Sequence, residues 1–290
     1  MDGWLNLYKP RRMTSYQAVA CIKKLVGKKT GHAGTLDPLA EGVLPVAIGQ
    51  ATRLIEYLSG TKTYLARARL GAMSDTYDAE GKIKLVDNAP DVSYNQFENV
   101  LSHFRGDIMQ KPPAYSALKR GGRPLYELAR AGEQVETEPR PITITRLDLL
   151  SFEPPDFEID VECSRGTYIR SLVHDIGQGL GSGAYLTSLI RTKDGLFDVG
   201  KSIRLEELAS IADIESRLLS LDWPLELASL TLADDEVGKV KNGLVPYSLA
   251  PRMPQSEDFL RLQDAAGRPV AIARRDASGC HIDKVIDCQL

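Results

Sequence analysis

The chain of 290 residues contains no window approaching the 18 or so uninterrupted apolar residues of a membrane span. A helical membrane protein is therefore excluded. It has no Cys-x-x-Cys, and its four cysteines, Cys21, Cys163, Cys280 and Cys288, lie far apart without zinc-type spacing to its four histidines. Cys280-His281 with Cys288 is the nearest approach to a metal cluster and supplies too few ligands, so reduced thiols and no metal are expected. Internal repeats and low-complexity tracts are also missing. The start, Met-Asp-Gly-Trp-Leu-Asn, shows no basic region followed by an apolar one, so no signal peptide is expected and a cytoplasmic location is.

Net charge is small, −3, but it hides an asymmetry. Residues 1–150 carry 21 Lys+Arg against 16 Asp+Glu, while residues 151–290 carry 15 against 23. The first 36 residues hold seven basic side chains and one acidic one. Such a surface suits a polyanion, although a solvated basic face produces the same count. Hydrophobic content of 43% supports a proper core, and the length suits one large domain with an appendage or two domains.

The chain is organised around Gly31-His32-Ala33-Gly34-Thr35-Leu36-Asp37-Pro38-Leu39-Ala40-Glu41-Gly42-Val43-Leu44-Pro45-Val46. Three glycines and two prolines make a poor helix, since each glycine costs about 1 kcal/mol and each proline about 3 in a helix interior. The stretch predicts a shaped loop running into a strand. Pro38 pushes Asp37 toward extended geometry, and Gly31 and Gly34 permit positive φ or a close approach. The carboxylate is either a functional group on a rigid mount or an Asx-type cap of its own backbone.

Before the loop, Trp4 to Pro10 reads as a strand halted by proline, and Thr14-Ser15 as the cap of a helix carrying Val19, Ile22 and Val26 and ending near Gly27. After it, Thr52 to Leu58 reads as a short helix stopped by Gly60. Lys62 to Gly71 alternates as a half-buried strand with Arg67 and Arg69 outward and Tyr64 inward, as core or as the wall of a cleft. Asp75 to Gly81 is a turn, and Phe97, Val100, Leu101 and Phe104 mark an amphipathic helix with His103 toward solvent. Gln110 to Pro124 is basic, rich in proline and glycine, and fits either a nucleic-acid-contacting arm or an ordinary surface loop.

Further on, Pro124 to Arg130 reads as a helix, and Ile142 to Phe152 pairs with Phe157 to Cys163. Thr167 can cap a helix burying Ile169, Leu172, Val173 and Ile176. Arg170 falls in its first turn, where the helix dipole disfavours a cation, so it wants an anionic partner. His174-Asp175 forms no triad, because adjacent helical residues diverge and no Gly-x-Ser-x-Gly accompanies them. Ala184 to Thr192 reads as a strand into a basic turn, and beyond Asp222-Trp223-Pro224 a small β-rich unit follows: strands at 225–232, 259–263, 270–273 and 281–285 and a helix near 234–241.

Gly31 to Pro38 strongly resembles the catalytic signature of the TruB family of tRNA pseudouridine synthases. Its companions stand in the same order: Lys9-Pro10 with Thr14-Ser15, Lys62-Thr63-Tyr64 with Arg69-Leu70-Gly71, Lys111 to Lys119, Gly166 to Leu172, and Leu189-Ile190-Arg191-Thr192. Arg11-Arg12-Met13 departs from the glycine that members often carry after Lys-Pro, which bears on the turn and not on the chemistry.

The resemblance implies an α+β pseudouridine synthase fold: a central mixed, mainly antiparallel sheet flanked by helices, plus a small β-rich C-terminal PUA-like domain. Residues 1–222 would form the catalytic domain, with an RNA-binding insertion at about 105–135, and residues 223–290 the PUA-like RNA-binding domain. It further implies isomerisation of uridine at position 55 in the T loop of tRNA, without cofactor or metal, by glycosidic cleavage and reattachment through C5. Asp37 would be the catalytic carboxylate, with Arg170 against it and Tyr64 against the flipped base. Its hydroxyl is a candidate for moving the C5 proton. Leu189 would close the apolar side and His32 occupy the space that the flipped base vacates. Tyr168, Gly34, Lys9 and Lys119 complete the implied substrate-binding set. tRNA would be the partner, with no guide RNA, protein partner or membrane. A tRNA-folding factor with incidental modification and an aspartate-nucleophile hydrolase releasing free uracil are the rival readings.

Overall fold

The computed structural model describes residues 1–116, 118–131, 133, 137–254 and 256–286, and the side chains of 119, 120, 124, 126, 129 and 130 lie outside that description. Ala117 of the basic stretch and Cys288 therefore lie outside the described residues. Strand β1 (Gly3–Lys9) stops at Pro10, and helix α1 (Ser15–Val26) opens with Thr14 and Gln17 capping one another. Gly27 closes it at φ +63°, the left-handed geometry of a C-terminal glycine. Ala18, Val19 and Ile22 turn inward from α1 onto Leu5, Leu7, Leu44 and Val46.

Strands β2 (Thr30–His32) and β3 (Ala40–Ile48) flank the glycine-rich loop. Residues 49–53 and 55–57 are two 3-10 turns rather than the short helix expected at 52–58. Ala51, Leu54 and Tyr57 are the buried positions, and a spacing of three matches the 3-10 period, not the α-helical one. Strand β4 (Lys62–Leu70) follows with Arg67 and Arg69 exposed and Tyr64, Ala66 and Ala68 buried. A hairpin of β5 (Ala72–Ser74) and β6 (Ile83–Leu85) encloses the turn at 75–81.

Next come α2 (Tyr94–Ser102), β7 (Gly106–Gln110), the small hairpin β8 (Lys119–Arg120) and β9 (Arg123–Pro124), and α3 (Leu125–Arg130). The pair β10 (Arg140–Glu153) and β11 (Asp156–Cys163) leads to α4 (Ile169–Gly179) and β12 (Ala184–Asp194). Two-residue strands β13 (Phe197–Asp198) and β14 (Ile203–Arg204) and helix α5 (Ile211–Glu215) finish this part of the chain.

The strands form one sheet in the order β14-β1-β3-β12-β4-β11-β10-β7, with β2 on β3 and β13 on β12. Only β1/β14 and β3/β12 pair in parallel, so the sheet is mixed and mainly antiparallel. Helices α2 and α4 cover the face of β4, β11 and β12 with Phe97, Leu101, Leu172, Val173 and Ile176. Thr167 does not cap α4. The cap is Tyr168, whose N–H donates to Gln110 Oε1 (2.8 Å) while Gln110 Nε2 donates back to its carbonyl (3.0 Å). A buried amide on β7 thus pins the backbone of the residue that opens the helix, and no side chain caps it.

A second sheet, β15 (Ser229–Thr231), β16 (Phe259–Gln263), β17 (Pro269–Asp276) and β18 (Gly279–Val285), carries helices α6 (Asp234–Lys241) and α7 (Leu249–Arg252). The strand expected at 225–232 is confined to 229–231, because Leu225 is spent in the core beside Trp4 and Phe197. Ile272 and Ile286 join that same core, Tyr57 packs edge-on against Phe259 at 5.2 Å, and Arg261 pairs with Asp222 at 2.9 Å. Apolar contact and ion pairs thus seat the second sheet on the 3-10 turns of the first unit.

Candidate active site

The loop at 33–39 is held from both sides. Ser15 Oγ accepts from Leu36 N–H (2.8 Å) and donates to Leu36 carbonyl (3.0 Å), Arg12 N–H donates to Pro38 carbonyl (2.7 Å), and Ala33 N–H to Pro45 carbonyl (2.9 Å). Asp37 stands between these anchors with its side chain 39% exposed. Its carboxylate takes its partner from a distant helix instead of capping its own backbone.

That partner is Arg170, 5% exposed in the first turn of α4. Its Nε lies 2.9 Å from Asp37 Oδ2 and 3.6 Å from Asp78 Oδ2. Nη1 donates to Thr76 carbonyl and Nη2 to Tyr115 carbonyl, both at 3.0 Å. A cation at a helix N-terminus is disfavoured by the dipole, and a buried one must be paired. Two carboxylates and two carbonyls meet both demands, and the planar fork fixes the direction in which Nε faces Asp37. Asp78 is itself 3% exposed, with Oδ1 accepting from Thr76 Oγ1 (2.6 Å) and Glu80 N–H (3.0 Å).

Beneath the loop lies a second buried charge group. Arg191, fully buried, donates from Nε to Val43 carbonyl (2.8 Å) and from Nη2 to Gly34 carbonyl (3.1 Å), so one side chain ties the loop to the strand that follows it. Asp194 faces Arg191 and Lys62, each at 3.5 Å, and Arg165 at 2.7 Å. Gly34 sits at φ +83°, and a Cβ there would collide with Lys62 Nζ. Gly42 is likewise required, since a Cβ at its φ of +103° would run into the Arg191 backbone. Burial, reinforced by Arg191, brings the Lys62 ammonium down to about 8.

Tyr64 is 6% exposed and lies directly across the β4/β12 ladder from Arg191, while Leu189 stands between Ala66 and Ala40. Leu36, Leu39, Tyr64, Ile169 and Leu189 share one apolar cluster, so an aromatic and an aliphatic wall adjoin the loop of Asp37. Burial pushes the Tyr64 phenol up to about 12, with Arg191 drawing it partly back. His32, at the end of β2, is held below its usual range by burial and then by Arg191 and Lys62, so its ring is neutral at neutral pH. Tyr168 is half-buried at the start of α4.

Lys9 departs from the expected substrate contact. It is fully buried, its ammonium donates to Pro10 carbonyl (3.0 Å) and Met13 carbonyl (2.6 Å), and it shapes the turn from beneath. The backbone of Lys119 lies in β8, and its side chain is outside the described residues. Lys62 and Arg191 stand in the matching motifs without a role of their own, and Asp78 and Asp194 were not singled out from the sequence. Only their being buried distinguishes them from ordinary surface charges, and a turn such as 75–81 gives no local sign of burial. Among the described residues no group of His, Cys, Asp and Glu is arranged to hold a metal ion. Among the described residues no helix is long and apolar enough to cross a membrane.

The sequence matches the family model for the N-terminal domain of TruB family pseudouridylate synthases over residues 23–169, and that for the C-terminal domain of tRNA pseudouridylate synthase B over residues 170–228. It is 45% identical over 252 residues to the tRNA pseudouridine synthase B of Heliobacterium modesticaldum, covering 85% of this chain and 82% of that one. Identity to the protein of that name from Pseudomonas aeruginosa is also 45%, over 279 residues, 94% and 91% of the two chains. Among solved structures, a chain of an H/ACA RNP bound to a substrate RNA containing 2'-deoxyuridine superposes with a TM-score of 0.74 at 25% identity, covering 98% of this chain and 85% of that one. A chain of a Cbf5-Nop10-Gar1 complex gives 0.73 at 26%, covering 98% and 84%.

Proposed function

The chain belongs to the TruB family of pseudouridylate synthases, and on that premise we propose that it converts the uridine at position 55 of the tRNA T loop to pseudouridine with Asp37 as the catalytic carboxylate. The observation that carries this reading is the contact between Asp37 and the buried Arg170 at 2.9 Å, which leaves a partly exposed carboxylate beside the apolar wall of Tyr64 and Leu189.

The chemistry needs a group that acts where the N1–C1′ bond breaks, whether by attack at C1′, addition to C6 or removal of the C2′ proton. An adjacent cation favours the charged form of a carboxylate for any of these. A stacked uridine must leave its stack to reach such a site, at a cost of a few kcal/mol. Stacking on Tyr64 returns about 1–3 kcal/mol. The neutral ring of His32 fills the vacated place, and Leu189 and Tyr64 keep the detached uracil beside the sugar until C5 is joined to C1′. The C-terminal sheet then acts as the PUA-like RNA-binding domain, with residues 223–290 as its extent and 1–222 as the catalytic unit. tRNA is the sole partner in this reading, with neither guide RNA nor protein cofactor.

Tritium release from C5-labelled uridine in a T-arm hairpin tests the reaction, and chromatography of the product nucleoside separates isomerisation from hydrolysis. Pseudouridine as the product agrees with the proposal, and free uracil contradicts it.

A further inference from the structure

The turn at 75–81 meets α4 through a contact that the chemistry above does not use. Tyr77 lies face to face with His174, ring centroids 3.9 Å apart and planes 14° from parallel. His174 stands four residues after Arg170 on α4, so the two side chains share one face of the helix. Three consecutive residues of the turn clasp that face. Thr76 takes Arg170 Nη1 on its carbonyl (3.0 Å), Tyr77 takes the His174 ring, and Asp78 presents Oδ2 to Arg170 Nε at 3.6 Å.

The backbone indicates that the ring of Tyr77 has a use. Its φ is +65°, the left-handed region where glycine is the default and a bulky side chain is strained. Hydrogen bonding does not call for an aromatic there. The Tyr77 carbonyl accepts from Leu186 N–H (3.0 Å) and its N–H donates to Ser74 carbonyl (3.1 Å), groups that any residue but proline offers. Nor does hydrogen bonding account for His174, whose Nδ1 is buried with no partner among the described residues. What each ring has is the other. Strain of this kind persists where the surroundings over-determine it, and it collects at functional sites.

We propose that Tyr77 and His174 are positioning residues for the reaction: their stack holds the turn closed on α4, so that Thr76 and Asp78 keep the Arg170 guanidinium directed at Asp37. The inference rests on the proposed function, which gives the contact between Asp37 and Arg170 its catalytic meaning. Neither ring touches substrate in this account. The left-handed residue turns the chain between Thr76 and Asp78 and brings both acceptors to one guanidinium, and the stack fixes that turn against the helix carrying it. Without the stack, Arg170 keeps its charge and its Asp37 neighbour, but the two groups behind it are free to shift. A misplacement of about 1 Å arising away from the chemistry costs up to about a hundredfold in rate.

The test compares Tyr77→Phe, Tyr77→Gly and His174→Leu with the unsubstituted full-length protein, by single-turnover tritium release from a C5-labelled T-arm hairpin and by affinity for that hairpin. Tyr77→Phe keeps the stack and should release within about twofold of the unsubstituted rate. Tyr77→Gly suits the left-handed backbone but removes the ring, and His174→Leu breaks the stack from the helix side. Each should release about tenfold more slowly, with affinity unchanged within about twofold. In an Arg170→Lys background the same two substitutions should slow release by no more than about twofold, because they act through a guanidinium already lost. An unchanged rate in Tyr77→Gly or His174→Leu, a loss in Tyr77→Phe equal to that in Tyr77→Gly, or an equal loss in both backgrounds overturns the proposal. Failure of the unsubstituted protein to isomerise the hairpin overturns the proposed function instead.

Discussion

Arg170 Nε and Asp37 Oδ2 stand 2.9 Å apart, with the guanidinium 6% exposed and the carboxylate 39% exposed. The pair is asymmetric: the cation is locked by Asp78 and by the carbonyls of Thr76 and Tyr115, while the anion keeps one side open. Arg170→Lys retains the charge but cannot reach both carbonyls and both carboxylates with one ammonium. Its kcat under single-turnover conditions is expected to fall at least about a hundredfold, as when one preorganised donor is lost from an active site. Arg170→Ala should also lose about 3–5 kcal/mol of stability in urea unfolding, because two buried or partly buried carboxylates lose their cation.

Asp78→Asn tests whether the fork must be held from behind. The amide keeps the shape and can still accept from Thr76 and Glu80, so stability should change by no more than about 1–3 kcal/mol. Arg170 then has one carboxylate partner instead of two. A kcat lowered about tenfold with little change in KM is the expected result from Michaelis–Menten analysis.

Gly34→Ala places a methyl group against Lys62 Nζ at a backbone geometry of φ +83°. Strain of about 1–3 kcal/mol follows, read as a lower unfolding midpoint together with lost turnover. Adding Lys62→Ala removes the collision but not the φ strain, so the double variant should be more stable than the sum of the two single losses predicts.

Asp175, half-buried on α4, has its carboxyl raised to about 6 by burial. The folded state thus binds this proton more tightly than the unfolded state does. The associated stability is fully present below about 3.9, the unfolded value, and is lost as pH rises through about 6. Asp175→Asn removes the penalty of the charged form, so its unfolding temperature relative to the unsubstituted protein should rise between pH 4.5 and pH 8. Differential scanning fluorimetry across that range would show it.

Much of this site is legible in the chain because its signals are local. Glycine and proline punctuate the loop of Asp37, period two marks β4 and turns Tyr64 inward, and the misplaced charge of Arg170 in a helical first turn demands an anion. What the sequence conceals is burial imposed from elsewhere. Asp78 reads as one more turn carboxylate until β12 runs alongside it at Leu186. Lys9 reads as a substrate contact because nothing near it announces that its ammonium folds back on its own turn. The Thr167 cap fails for a related reason, since Gln110, distant in sequence, fixes the backbone of Tyr168 and makes that residue the helix start.

The central claim is that the Asp37 carboxylate performs the reaction while the rest of the molecule binds the RNA. Asp37→Asn is nearly isosteric, and its decisive measurement is single-turnover tritium release from C5-labelled T-arm uridine at saturating enzyme, with affinity for the same hairpin measured in parallel. The account predicts release at least about ten-thousandfold slower, the scale on which loss of a catalytic group acts, with affinity within about threefold of the unsubstituted protein. Release at the unsubstituted rate would contradict it.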